Sequence, residues 1–231
     1  MRKIGLIGGL SWYSTRTYYE HINRAVERRA GSRASAPMVI ENLDFSSLSR
    51  LSSREDWERA ADVLVAAAQR LETAGATAIL IGANSMHKVY DAVADAVSVP
   101  VLHIAECVAE AMVRKNVKKA ALIGTRNVML ESFYRQKLIA RDIELLPPEM
   151  ERVDTLDRII YDELFQGRAT RQAQRDLKTI ITNLSQDGAE AIVLGCTELE
   201  MVVDVDANVL PIFDCTRIHA DAAVEWMLGE R

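Results

Sequence analysis

The sequence predicts an α/β fold of two pseudo-symmetric lobes, each a parallel sheet flanked by helices. Two observations lead there. Short apolar runs alternate with longer charged segments along all 231 residues. Strands buried on both faces read as unbroken apolar runs, and the helices covering them read as mixed ones. The series also restarts half-way along the chain, with the same phrases in the same order.

The elements follow in turn. "KIGLIG" (Lys3 to Gly8) is a buried-strand pattern ending in Gly-Gly. From about Ser14 to Arg29, Tyr18, Tyr19, Ile22 and Val26 recur near helical spacing. "APMVIENLDF" predicts the second strand, and the alanine- and leucine-rich Arg54 to Thr73 a helix. "TAILIG" is the third strand, Lys88 to Ala96 a short helix, and "VPVLHI" the fourth strand. The second series starts with "KAALIG" (Lys119 to Gly124) and a helix through Phe133 and Tyr134. A short strand near "IELLPP" and two helices between Arg152 and Gln186 lead to "EAIVLG" and "VLPIFD". No low-complexity linker divides the chain.

The restart matches in several places. "KIGLIG" pairs with "KAALIG", and Tyr18 follows Gly8 at the spacing at which Tyr134 follows Gly124. "GATAILIGANS" (Gly75 to Ser85) pairs with "GAEAIVLGCTE" (Gly188 to Glu198), and "VPVLH" with "LPIFD". Convergence of buried strands on similar apolar strings does not explain the matched Gly-Ala before the strand or the small polar residues after it. A duplicated half is expected: residues 1–103 with 214–231 as the N-terminal lobe, and 104–213 as the C-terminal lobe. Ligands of open parallel sheets bind beyond the carboxyl ends of the strands. The expected active site is therefore a cleft between the lobes, with Ala83 and Cys196 as equivalent strand-end positions.

Composition narrows the function. A net charge of −5 without a long basic run argues against nucleic acid as a partner. No stretch approaches the length of a membrane span, and the first apolar run is too short for a signal peptide, so a cytoplasmic protein is expected. Three cysteines without C-x-x-C do not make a disulfide framework, and the four histidines lack metal-ligand spacing. "GLIGG" is not G-x-G-x-x-G, which leaves a dinucleotide poorly supported. No metal and no cofactor is expected.

The chemistry sits at the strand ends. A thiol between a strand and a helix N-terminus lies near unpaired N–H groups and a positive dipole end, which favour thiolate. Cys196 is therefore expected to be the most reactive thiol, whereas Cys107 and Cys215 pack as small hydrophobes. Asn84, Ser85 and Thr125 offer groups suited to a carboxylate, a use compatible with helix capping. Gly9 and Leu10 form the strand-end loop in which the backbone approaches a ligand. His87 is either a ligand contact or polar packing.

"GLIGGLSWYST..YY..IN", "DF" at Asp44-Phe45, "ANSMHK", "LHIAE", "LIGTRNVML..FY", "LGCTELE" and "D.TRIHADAAV" together resemble the aspartate/glutamate racemase family. The likeness is greatest to its amino-acid racemase branch, which works without pyridoxal phosphate. It covers essentially the whole chain. It implies two lobes with the site between them, a homodimer, and a small amino-acid substrate. It also implies two acid/base residues, one per lobe, acting on opposite faces of the substrate Cα. Carried over, the second-lobe residue is Cys196. Asn84, Ser85, Thr125 and Thr197 fall on positions that hold the α-carboxylate and amino groups.

The first-lobe acid/base position, cysteine or threonine in the family, is Ala83 here. A methyl group neither accepts nor donates a proton. Three readings stay open: an engineered exchange to alanine that leaves the chain inactive or impaired, a one-cysteine enzyme like the malonate decarboxylases, or a non-catalytic amino-acid binder. For the substrate side chain, the family places basic residues after "DF" and before the glycine of "ELFQG". Those regions offer Arg50 and Gln166, with Lys88 and Arg168 as further cations. Acidic and neutral side chains both remain open.

Overall fold

Gly82, Gly124 and Gly195 lie where two central strands run so close that a Cβ would meet main chain or packed side chain. A Cβ on Gly124 would lie 2.7 Å from the carbonyl oxygen of Gly195, its partner in register. The computed structural model describes residues 1–231. In chain order the elements are β1 (Ile4–Gly8), α1 (Trp12–Ala30), β2 (Met38–Asn42), α2 (Arg54–Thr73), β3 (Ala78–Ile81), α3 (Tyr90–Asp95), β4 (Val101–Leu102) and α4 (Ile104–Arg114). Then come β5 (Lys119–Gly124), α5 (Arg126–Leu130), α6 (Ser132–Ile139), β6 (Glu144–Leu145), α7 (Met150–Asp162), α8 (Arg171–Gln186), β7 (Ala191–Gly195), β8 (Ile212–Asp214) and α9 (Cys215–Leu228).

Every strand pairing is parallel. The first sheet has the order β2-β1-β3-β4, and the second repeats it as β6-β5-β7-β8. The predicted duplication is thus present in topology. Each order turns back between its two central strands, β1/β3 and β5/β7. In such sheets that reversal leaves a crevice beyond the carboxyl ends of those strands.

Alternation along the strands makes the core. In the first sheet Ile4, Leu6, Ala78 and Leu80 pack with Tyr18, Ile22 and Val26 of α1 and Val224 of α9. The intervening Ile7, Ile79 and Ile81 pack with Leu64, Ala68 and Leu71 of α2. In the second, Ala121, Ile123, Ile192 and Leu194 meet Leu156 and Ile160 of α7 and Leu177 and Ile181 of α8. Each such buried Leu or Ile contributes about 1.5–3 kcal/mol relative to exposure. Local signals set the ends: a Ser53–Asp56 capping box opens α2, and the Thr170 hydroxyl accepts the Ala173 amide at the start of α8.

Two elements differ from expectation. The segment read as a helix from Lys88 begins as a 3₁₀ turn, Ser85–Val89, before α3. The Ala83 carbonyl, which an α-helix would offer to the His87 amide, accepts from the His87 ring instead, while the amide turns to Asn84. The segment after Cys196 is likewise a 3₁₀ turn, Thr197–Met201. No helix is long and apolar enough to cross a membrane.

The chain divides into one unit of Met1–Ile104 with His219–Arg231 and a second of Ala105–Ile218. The second crossing lies after Ile218 rather than after residue 213. The β8–α9 junction is tied to β7: Leu194 pairs with Asp214, the Cys215 thiol donates to the Leu194 carbonyl, and Asp214 accepts the Thr216 amide. Residues 214–218 therefore belong with the second unit.

Candidate active site

In the second unit the site is built on β5 and β7. Gly124 and Gly195 are in register, so Thr125 and Cys196 follow them at adjacent strand ends. Cys196 is extended and only 5% exposed. Its thiol donates to a carboxylate oxygen of Glu198 at 3.2 Å, and the Thr197 hydroxyl donates to the same oxygen at 2.7 Å. Glu198 is itself buried. Burial first, and then the charge of Glu198, push the Cys196 thiol well above its usual range. This corrects the expectation of a depressed thiol. The 3₁₀ turn after Cys196 supplies too little aligned backbone to oppose desolvation. A thiol so placed is held protonated, with a carboxylate in line to take its proton. It can give a proton to a carbanion or, after passing its proton to Glu198, receive one.

In the first unit the equivalent ends are those of β1 and β3. Ala83 and Asn84 are buried, and Ser85 is partly exposed. Leu10, Leu48, Leu51, Trp57 and Met86 belong to the same apolar cluster as Ala83. Gly9 has φ +73°, and a Cβ there would collide with the main chain of Leu43. The close approach it permits is thus to the protein's own β2 loop. Two buried hydroxyls, Ser11 (φ +95°) and Thr125, make no hydrogen bond within the protein. Leaving such a group unsatisfied costs about 1–3 kcal/mol, a cost usually met at a functional site.

A model of the Asp/Glu/Hydantoin racemase family matches residues 7–223. The chain belongs to this racemase family. It is similar to the broad specificity amino-acid racemase RacX of Bacillus subtilis, 26% identical over 176 residues, or 75% of each chain. Among solved structures it is similar to a Yersinia pestis protein of the Asp/Glu racemase type, with TM-score 0.90 and 37% identity, covering 99% of this chain and 100% of that one. An aspartate racemase homologue from Pyrococcus horikoshii aligns with TM-score 0.84 and 31% identity, over 99% and 100% of the two chains.

On this racemase fold, the candidate residues fall into separate groups. Gly9, Leu10, Ala83, Asn84 and Ser85 gather at the β1/β3 switch point, and Thr125, Cys196 and Thr197 at the β5/β7 switch point. Gln166 closes a 3₁₀ turn, Leu164–Gln166, that packs against the Thr197–Met201 turn, and its side chain is exposed. Arg50 is exposed in the loop after β2. Lys88 lies over the Trp57 ring, 4.4 Å from its centre, and Arg168 donates to the Asp162 carbonyl. Sequence reasoning used Glu198 only as part of the Thr-Glu that marks Cys196, without a role of its own, and missed Ser11. An acid two residues beyond a strand-end cysteine is a signal for the first; the positive φ of Ser11 left none.

Proposed function

We propose that this chain is a cofactor-independent amino-acid racemase scaffold whose second-unit acid/base is Cys196, assisted by Glu198, and whose first-unit acid/base position is occupied by Ala83. The observation that carries the reading is the buried thiol–carboxylate pair at the carboxyl end of β7 in a chain of this family. Asn84, Ser85, Thr125 and Thr197 hold the α-carboxylate and amino group, with the buried Thr125 hydroxyl as a ready donor. The family reading also carries a homodimer, a cytoplasmic setting and independence from pyridoxal phosphate. A substrate with a neutral side chain is favoured. Position 83 shares its cluster with Leu10, Leu48 and Trp57, Lys88 is engaged over Trp57, and Arg50 and Gln166 are exposed. RacX, named for broad specificity, is in keeping with this.

Inverting a stereocentre requires a proton removed from one face of Cα and another delivered to the other. A positioned general base contributes about 10²–10⁴-fold, so the chain as it stands should racemise almost nothing. One enantiomer should still exchange its α-hydrogen with deuterated solvent and keep its configuration. Ala83→Cys should restore racemisation of methionine or homoserine ahead of aspartate and glutamate, read by chiral chromatography and deuterium uptake. An Ala83→Cys protein that folds and binds amino acids yet racemises none of them overturns the proposal.

A further inference from the structure

Three of the four histidines, far apart in sequence, meet in the first unit. The His87 ring centre lies 4.7 Å from that of His103 and 5.9 Å from that of His219. All three side chains are buried. Their hydrogen bonds assign two protonation states. His87 Nε2 lies 3.2 Å from the backbone nitrogen of Ile104, which can only donate, so Nε2 is the acceptor. Nδ1 therefore carries the proton and donates it to the Ala83 carbonyl at 2.9 Å. His219 Nε2 lies 2.9 Å from the Leu102 carbonyl and is a donor; burial keeps this ring neutral, so its Nδ1, 2.8 Å from the Tyr18 hydroxyl, accepts from it. Both rings are neutral and use both nitrogens, which leaves neither a lone pair for a metal.

The carbonyl that His87 holds belongs to residue 83, and the amide it accepts from opens α4. One ring thus takes up an otherwise unpaired helix N–H and the carbonyl at the end of β3. Ile104 is also the last residue of the first unit before the chain passes to the second. Without the ring, the Ala83 carbonyl would be free to accept the His87 amide and draw Ser85–Val89 into an α-helical turn. The Cα–Cβ direction at position 83 would turn with it.

We infer that His87 is a positioning residue for the first acid/base position: its Nδ1–H tautomer, selected by the Ile104 amide, clamps the carbonyl of residue 83 and so aims the side chain there. The inference rests on the proposed racemase reading for its consequence in catalysis, but not for its geometry. Acid/base chemistry depends on near-attack geometry, and a displacement of about 1 Å can cost about 10²-fold.

The test has arms that separate the two proposals. In the chain as it stands, imidazole ¹⁵N spectra near neutral pH, with His87 signals identified by their loss in His87→Phe, should show a protonated Nδ1 and an unprotonated Nε2. The opposite tautomer or an imidazolium overturns the inference. In the Ala83→Cys background, His87→Phe should lower kcat for racemisation by about tenfold or more while KM changes little. His87→Asn, whose side-chain amide can donate near the place of Nδ1–H, should recover most of that loss. A kcat unmoved by His87→Phe, or an Asn variant no better than Phe, overturns it. If Ala83→Cys itself shows no racemisation, the racemase reading falls and a third arm decides for His87. With Cys196→Ala also present, alkylation of the thiol introduced at position 83 should change several-fold with His87→Phe and return with His87→Asn. Unchanged labelling in both counts against the clamp. Should His87→Phe fail to fold, His87→Asn identifies the His87 signals, and the spectrum of the unaltered chain still decides.

Discussion

Cys196 shows how far one residue's chemistry depends on its immediate neighbours. Its thiol is shielded from water, and the like-signed charge of Glu198 lies directly on it. Both effects disfavour thiolate, so alkylation near neutral pH should be slow compared with a free cysteine. Removing the charge separates the two causes. Glu198→Gln keeps the shape and burial but lifts the repulsion, so the thiol should ionise more readily. Each unit regained corresponds to about tenfold more thiolate at a fixed pH below the pKa. Iodoacetamide labelling with peptide mapping at about pH 8 should show faster modification of Cys196 in Glu198→Gln and no change at Cys107 or Cys215. Equal rates at Cys196 would mean that burial alone sets its state. The same variant in the Ala83→Cys background should lose racemisation, because the Cys196 thiol then lacks its proton acceptor.

At the scale of elements, the strand ends are held by close approach and the helices by caps. Gly124 and Gly195 face each other so tightly that Gly124→Ala places a methyl against main chain, which cannot swing aside. Overpacking of this kind costs about 1–3 kcal/mol. Here it also shifts Thr125 relative to Cys196. Gly124→Ala should therefore lose α-hydrogen exchange in the Ala83→Cys background at temperatures where circular dichroism still reports a folded protein. Activity that tracks the folded fraction would refute a local effect. Thr170→Ala is the contrasting case. It removes the hydroxyl that accepts from Ala173 and donates to Glu163, neither of which is a candidate site residue. A loss of about 1 kcal/mol in urea unfolding is expected, without effect on exchange.

For the molecule as a whole, the buried His219 predicts acid lability. Burial, and then the neighbouring His87, lower His219 to about 3, whereas an unfolded histidine titrates near 6.5. The native state therefore refuses a proton that the unfolded state takes. Stability from this residue is fully present above about pH 6.5 and is lost as pH falls towards about 3, by at most about 1.4 kcal/mol per pH unit. Urea unfolding at about pH 7.5 and about pH 5 should show that loss, and His219→Gln should flatten it. The same slope in both proteins would assign the acid sensitivity to other groups.

Much of this was legible in the sequence. Strands buried on both faces must be unbroken apolar runs, and central strands that nearly touch must carry glycine, so the two series and their repeat stood out without coordinates. The repeat also placed Ala83, the position that the proposed function reads as a vacated acid/base site, opposite Cys196. What only the tertiary structure decided is the state of those positions. The Glu198 carboxylate turns onto the thiol because a 3₁₀ turn follows β7, and the thiol's raised pKa comes from packing contributed by many segments. The His87 ring reaches the Ala83 carbonyl and the Ile104 amide only after β4 has paired with β3, and His219 joins from the far end of the chain. Desolvation and hydrogen-bond direction belong to the assembled packing, whereas apolar periodicity belongs to the strand itself.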